Sequence, residues 1–516
     1  MKVLITTSGV GSRLGELTQF TNKSLIRIGK KPAISYIIEN YPSDSDFVIT
    51  LGYYGNQVKE FLTLAYPDYK FIFVDVNPYE GIGSSLGYSM LCAKEHLQEP
   101  FIFHACDTII NEKILEIDSN WLGGGNTGSS AQYRTFSVMG SKVNTIHEKG
   151  EKNYDFEYLG ICSIHDWEFF WKSLEDVYNQ NPNNNGLSDC DALRECIANQ
   201  TFGYKKFDWL DIGNLDSLNN ARKKIADYFD LLDKVDESIF LFDKFVIKFF
   251  FNEEVCSNRV KRADILGRSV PKMLGSSKHF YKYEYADGYL FADVANTKNF
   301  NTLLDWSKNN LWIVKGSKSK SFYEVCRKFY FDKTISRLEK FHIDNNLKDQ
   351  EHIINGLRVP TLKELLGSID EEWLCNVEPR GFHGDFILDN MLIDFDNITL
   401  LDWRQDFGGD IEQGDMYYDL GKLNHNLIVN HSIVHNSGYK VEFKINNIIV
   451  DILRKNSLVE CQDVLYDFCT KNGYDIKKVQ TLSSIIWLNM APLHDKKFGI
   501  FLYLFGKYNL FKAISC

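Results

Sequence analysis

Over the first 226 residues, short apolar runs alternate with stretches of helical spacing. Val3-Leu4-Ile5, Phe47-Val48-Ile49, Phe71-Ile72-Phe73-Val74 and Phe101-Ile102-Phe103 each lead within a few residues to Gly, Asp or Asn and then to an amphipathic segment. Runs this short, bounded by turn residues and followed by helical periodicity, predict buried strands joined by helices. That order builds a mostly parallel sheet with its ligand at the carboxyl ends of the strands. The Asn- and Pro-rich stretch 179–186 reads as a surface loop. From about Asp236 the pattern changes. A hairpin-like block (Ile239 to Phe251, then Phe280 to Val294) precedes helical periodicity from Phe322 to His342 and again beyond Leu458. Two domains are therefore expected, 1–228 and 236–516, the second a small strand-rich lobe followed by a larger helical one. The link between them has helical spacing from Ala221 to Leu232.

Composition narrows the class. The chain has 516 residues, 44% hydrophobic and 25% charged, which suits roughly two to four ordinary globular domains. Its 58 Lys and Arg face 69 Asp and Glu, a net charge of −11. Phosphate backbones need a basic surface, so nucleic acid is not expected as the main partner. The 11 cysteines are scattered without CxxC or CxxH spacing, which argues for reduced thiols in a cytoplasmic protein rather than a disulfide scaffold or structural zinc. The opening apolar run is too short for a signal peptide, and the stretch from Phe498 to Phe511 carries Lys507 and is too short to span a bilayer. No membrane insertion is expected, and a homo-oligomer is compatible with the sequence.

Candidate chemistry falls in two places. The first strand runs into Ser8-Gly9-Val10-Gly11-Ser12-Arg13-Leu14-Gly15. A glycine turn after a first strand lets backbone N–H groups approach phosphates, and Arg13 adds a charged donor. A dinucleotide fingerprint requires its third glycine three residues after the second; here it comes four after Gly11. The wider series runs through Asn22-Lys23-Ser24, Gly29-Lys30-Lys31-Pro32, Glu80-Gly81-Ile82-Gly83-Ser84, Ala105-Cys106-Asp107, His147-Glu148-Lys149-Gly150, Tyr158-Leu159-Gly160 and Trp209-Leu210-Asp211-Ile212-Gly213. It resembles the nucleotidyltransferases that activate sugar phosphates or choline phosphate, over roughly residues 1 to 225. Asn22 and Gly150 depart from that pattern, since both positions commonly hold proline.

The resemblance implies a doubly wound mixed α/β sheet of GT-A-like type. It implies catalytic Arg13 and Lys23 on the nucleotide triphosphate, and nucleotide contacts at Gly9, Gly11, Gly81 and Ser84. Glu148, Lys149 and Gly160 would meet the acceptor, and Asp107 and Asp211 would hold Mg²⁺. The physical logic is that a phosphate monoester must approach a triphosphate of like charge, which cations neutralise.

The second place is Phe382-His383-Gly384-Asp385 through Asn390, followed by Leu400-Leu401-Asp402-Trp403 and Gly414-Asp415 to Leu423. An aspartate, an asparagine five residues on and an aspartate ending the next strand resemble the catalytic apparatus of kinases, in the spelling of the aminoglycoside phosphotransferase and choline kinase branch. The resemblance implies a bilobal α+β kinase-like domain. Asp385 would act on the acceptor hydroxyl, Asn390 and Asp402 would hold Mg²⁺ on ATP, Lys248 would reach the phosphates with Glu253 or Glu254 as its acidic partner, and Tyr285 would lie in the adenine hinge. No glycine-rich loop precedes Lys248. His431 and His435, one turn apart, read as a polar helix face. Together the two resemblances imply a bifunctional enzyme. ATP would phosphorylate a small hydroxyl compound (a sugar, an alditol, choline or ethanolamine), and CTP or another NTP would then activate the product for surface polysaccharide. The alternative is that one half is catalytic and the other a binding or regulatory module.

Overall fold

The computed structural model describes residues 1–126, 130–225 and 234–515. Most of the expected link, 226–233, lies outside the described residues. The chain divides into two compact units: Met1–Cys256 with Leu274–Tyr285, and Ser257–Met273 with Ala286–Cys516.

In the first unit the expected apolar runs are strands Lys2–Thr6, Asp46–Leu51, Lys70–Asp75 and Phe101–Ala105, parallel and adjacent in one sheet. Phe156–Ile164 then pairs antiparallel with Phe101–Ala105 and carries the sheet on to nine strands in all, so it is mixed. Alternation along Lys2–Thr6 explains the layering. Val3 and Ile5 face one core with helices Ala33–Ile38 and Gly55–Ala65, while Leu4 faces another with helices Leu86–Ala93, Trp167–Gln180 and Asp189–Asn199. Helices on both faces leave the carboxyl ends of the parallel strands to loops, which is where ligands bind in such sheets. The hairpin-like block also falls in this unit, as a four-stranded sheet of Glu237–Leu241, Phe245–Phe250, Phe280–Glu284 and Met273–Ser276. It is held by Phe61, whose ring meets Phe240 at 5.4 Å and Phe280 at 5.9 Å.

The second unit is mainly helical. The periodicity from Phe322 to His342 is interrupted: helix Lys320–Arg327 passes into a π-helical turn, Lys328–Asp332, and then helix Lys333–Asn345. Helices Asn456–Lys471, Ile476–Met490 and Lys496–Ser515 form the predicted C-terminal helical region. A second four-stranded sheet, of His352–Ile354, Leu357–Val359, Tyr439–Lys444 and Asn447–Ile452, stands among the helices. Its signal is short: Asn355-Gly356, both at positive φ, turns the first hairpin. Nine of the ten described cysteines are buried. Among the described residues no helix is long and apolar enough to cross a membrane.

Candidate functional site

The first strand ends at Thr6, and the chain turns at Gly11 (φ 70°) into a 3₁₀ segment that carries Arg13. A Cβ at Gly11 would lie 3.0 Å from the Lys23 Cβ, so glycine brings the turn against the lysine. Asn22 fixes the lysine's own loop. Its amide donates to Thr7 O at 2.8 Å and Tyr53 O at 2.6 Å, while its carbonyl accepts from Ser24 N. Proline could make none of these bonds, which gives a physical reason for the departure from the expected spelling.

Lys23 Nζ reaches Asp107 Oδ2 at 3.0 Å. Asp107 follows strand Phe101–Ala105, beside the first strand, so the pair forms across neighbouring strand ends. Burial works against the charge on both partners. Asp107 nevertheless raises the Lys23 pKa, and Lys23 with Arg13 lowers that of Asp107. Asp211 closes the arrangement from strand Trp209–Asp211, which pairs with Thr108–Ile110 and sets Asp211 opposite Thr108. Its carboxylate is held by neutral donors, Tyr133 Oη and Gly213 N, each at 2.9 Å. A Cβ at Gly213 would meet Asp211 Oδ1 at 3.1 Å, Asp107 Oδ2 at 3.3 Å and Arg13 Nη2 at 3.4 Å. Two carboxylates and a guanidinium therefore converge on one point that carries no side chain.

Among the described residues no group of three or more His, Cys, Asp or Glu is placed to hold a metal ion. A carboxylate pair still suits Mg²⁺, which keeps waters and takes the rest of its oxygens from phosphates.

Arg13, Asp107 and Asp211 line an open cleft of about 560 Å³ together with Lys149 and Gly160. Arg134 and Arg194 engage the carboxylate of Glu148. Gly81 and Ser84 sit in the exposed turn after strand Lys70–Asp75, where Ser84 Oγ donates to Gly81 O at 2.8 Å. Among the cleft residues outside the quoted motifs are Tyr133, Arg134 and Asp189. Asp189 is buried, which raises its pKa, and accepts from Tyr158 Oη at 2.5 Å. Only Tyr158 stood in a quoted motif; the others come from segments without a recognisable spelling.

In the second unit, Asn390 Nδ2 donates to Asp385 O at 3.0 Å and Asp385 Oδ2 at 3.1 Å, so the five-residue spacing closes a loop on itself. Asp385 Oδ1 pairs with Lys422 Nζ at 2.7 Å. Burial raises the Asp385 pKa, but Lys422 prevails and holds it at about 2. Asp402, at positive φ, accepts from Arg259 Nη1 at 2.5 Å. Arg259 belongs to helix Glu253–Leu266, the helix on which an acidic partner for Lys248 was expected. Glu253 lies near Lys278 and His279. Lys248 is 7% exposed on strand Phe245–Phe250 and belongs, with Tyr285, to the first unit.

His383 is buried and neutral, its pKa lowered by burial to about 4, with Nε2 2.9 Å from Leu401 O. The loop is fixed by Asp419, which accepts from His383 N at 2.8 Å and Gly384 N at 2.7 Å. His431 opens helix His431–His435, and its Nδ1 lies 3.4 Å from Asp389 Oδ1.

Against known proteins, the likeness lies in the N-terminal region and is to cytidylyltransferases. A probable glucose-1-phosphate cytidylyltransferase of Bacillus subtilis is 30% identical over 119 residues, 22% of this chain and 44% of that protein. A bifunctional IPC transferase and DIPP synthase of Archaeoglobus fulgidus is 31% identical over 117 residues, 22% of each chain. The match thus spans less than half the length of these relatives. No family model matches. Among solved structures, the inositol-1-phosphate CTP transferase of T. maritima superposes with a TM-score of 0.36 at 15% identity, over 45% of this chain and 98% of that one. The CTP:phosphocholine cytidylyltransferase of Streptococcus pneumoniae gives 0.36 at 19%, over 44% and 99%.

Proposed function

We propose that the first unit transfers a nucleotidyl group from CTP or another NTP to a phosphate monoester, and that the second unit makes such a monoester by phosphorylating a small alcohol with ATP. The observation that carries the first half is the convergence of Asp107, Asp211 and Arg13 at Gly213, with Lys23 paired to Asp107. Asp107 and Asp211 would hold Mg²⁺ in the first site, and Asn390 and Asp402 in the second. When bound, the cation neutralises phosphate charge and orients the triphosphate.

Arg13 and Lys23 bear on the triphosphate, while Lys149, across the cleft, receives the acceptor phosphate. An acceptor phosphate oxygen attacks the α-phosphorus and pyrophosphate leaves with the electron pair of the broken bond; no enzyme nucleophile is needed. In the second unit Asp385 takes the proton of the acceptor hydroxyl as its oxygen bonds to the γ-phosphorus, and ADP leaves. The activated product would suit assembly of a surface polysaccharide.

Full-length protein supplied with ATP, CTP or UTP, Mg²⁺ and a panel of small alcohols and their phosphates is expected to form ADP from the alcohols and pyrophosphate from the phosphates. Formation of neither product across the panel would remove the proposal.

One observation favours a second reading, in which the second unit binds a ligand without transferring phosphate: Arg259 occupies Asp402 at 2.5 Å. Pyrophosphate release without ADP formation from any alcohol would support it.

A further inference from the structure

The surroundings of Asp385 hold more positive charge than phosphate transfer to a neutral or cationic alcohol requires. Arg404 follows the Asp402-Trp403 pair, and its backbone N donates to His383 O at 3.0 Å. Its side chain lies on the loop: a Cβ at Gly384 would meet the Arg404 Cβ at 2.7 Å and its Cδ at 3.1 Å. The Arg404 Nε is buried without a hydrogen-bond partner. Lys333 joins it on one ring, with Lys333 Nζ 4.3 Å and the Arg404 guanidinium carbon 5.0 Å from the centre of Phe329. Lys333 opens its helix straight after the π-helical turn Lys328–Asp332, a rare irregularity that is frequent at functional sites.

Arg337 stands four residues on from Lys333, a like-charge spacing that costs a helix stability. Lys422, the partner of Asp385, completes the group. The carboxylates facing these cations are Asp385, already paired with Lys422, and Asp406. Burial, and then Arg404, Arg337 and Lys422, lower the Lys333 pKa to about 6. Arg337 Nη1 donates to Asn489 O at 3.2 Å, a neutral partner that leaves its charge in place, and half-buried cations without a countercharge are costly unless an anion joins them.

We infer that Lys333, Arg404 and Arg337 bind an anionic group on the acceptor, so that the second unit acts on an alcohol bearing a carboxylate or a phosphate, not on choline, ethanolamine or a neutral sugar. The inference rests on reading Asp385 as the group that meets the acceptor hydroxyl. The positive cluster offers nothing to a quaternary ammonium, which seeks aromatic faces or carboxylates.

A matched set of small alcohols tests it: glycerol, glycerate, glycerol 3-phosphate and choline. Binding is measured calorimetrically on the full-length protein without ATP, in a Lys149→Met parent that lacks the first unit's proposed contact to an acceptor phosphate, and in that parent with Lys333→Met or Arg404→Met added, with Arg337→Met as a third variant should either fail to unfold at the parent's temperature. At least one of the two anionic probes is expected to bind the parent and to bind the variants at least tenfold more weakly, with glycerol and choline showing no such loss. Glycerate against glycerol 3-phosphate separates a carboxylate from a phosphate ligand. Failure of both anions to bind, equal binding in all variants, or choline binding that matches the anions would overturn the inference. ADP formation is read separately. Anion binding lost in the variants but without ADP would leave the anion site standing and remove the kinase reading. ADP from choline or glycerol, unchanged in Lys333→Met and Arg404→Met, would do the reverse.

Discussion

The two carboxylate sites differ in what holds their aspartates. In the first unit Asp211 accepts from neutral donors, the Tyr133 hydroxyl, the Gly213 N–H and the Asn214 amide, while Asp107 shares its charge with Lys23. In the second unit both aspartates face a cation within 2.7 Å, Lys422 on Asp385 and Arg259 on Asp402. A carboxylate held by neutral donors keeps its charge for a metal or phosphate-bound cation. One engaged by an arginine must exchange that partner first. On the proposed reading, Asp211 would take a cation with little rearrangement, whereas Asp107 would share it with Lys23 and Asp402 would need Arg259 to yield. Coulomb attraction at these separations is large in a partly buried site, but much of it offsets the loss of hydration.

Three changes sharpen this contrast, taken from the largest expected effect to the smallest. Asn22→Ala removes two donors from the loop that positions Lys23 and leaves the buried Thr7 carbonyl short of a partner. It should destabilise the first unit by about 1–3 kcal/mol. Chemical denaturation with a probe in that unit would detect it, and an unchanged midpoint would mean that the loop is held by something else.

Lys422→Met acts through Asp385. With the cation gone, burial and the nearby charge of Asp402 both raise the carboxyl pKa from about 2. The acid limb of ADP formation should then move to higher pH by at least ~1 unit, a tenfold loss of active carboxylate at a fixed pH below the new value. The sign for stability follows from linkage. Because the folded-state pKa is depressed, the Asp385–Lys422 pair stabilises fully above the unfolded value of about 4 and loses that contribution as pH falls toward about 2. A pH–rate profile of the variant that superposes on wild type would show that Lys422 does not govern Asp385.

Arg259→Gln tests the difference between the sites most locally. Freed of its arginine, Asp402 should need less Mg²⁺ for half-maximal ADP formation, by up to about fivefold given that Asp402 is partly exposed. The Mg²⁺ dependence of pyrophosphate release should not change. Equal shifts in both reactions would contradict the assignment of Asp402 to one of them.

Much of the first unit was legible in its sequence because its central strands, Lys2–Thr6, Asp46–Leu51 and Phe101–Ala105, are buried on both faces and read as continuous apolar runs. The loop spellings around Lys23, Asp107 and Asp211 were legible because each lies within a few residues of a strand end. What stayed hidden depends on long-range contact. Arg259 meets Asp402 across 143 residues, and Tyr133 meets Asp211 across 78. An arginine on a helix reads as a solvated face until a carboxylate arrives beside it. The partners of Glu148 were hidden in the same way, since Arg134 and Arg194 lie 14 and 46 residues from it in sequence. The grouping of strands 237–284 with the first unit was equally invisible, since the hydrophobic pattern shows that Phe240 and Phe280 are buried but not that Phe61 covers them.

If the chain holds two separate carboxylate chemistries, as proposed, a crossed pair of variants will separate them directly. Phosphorus NMR would follow ADP and pyrophosphate in full-length wild type, Asp107→Ala and Asp385→Ala, each supplied with ATP, CTP, Mg²⁺ and the alcohol and phosphate panel. Asp107→Ala is predicted to lower pyrophosphate release by about 10²- to 10³-fold and leave ADP formation intact. Asp385→Ala should do the opposite, with pyrophosphate still released when the phosphorylated acceptor is supplied. Loss of both products in either variant, with the fold retained, or persistence of pyrophosphate release in Asp107→Ala, would contradict the account.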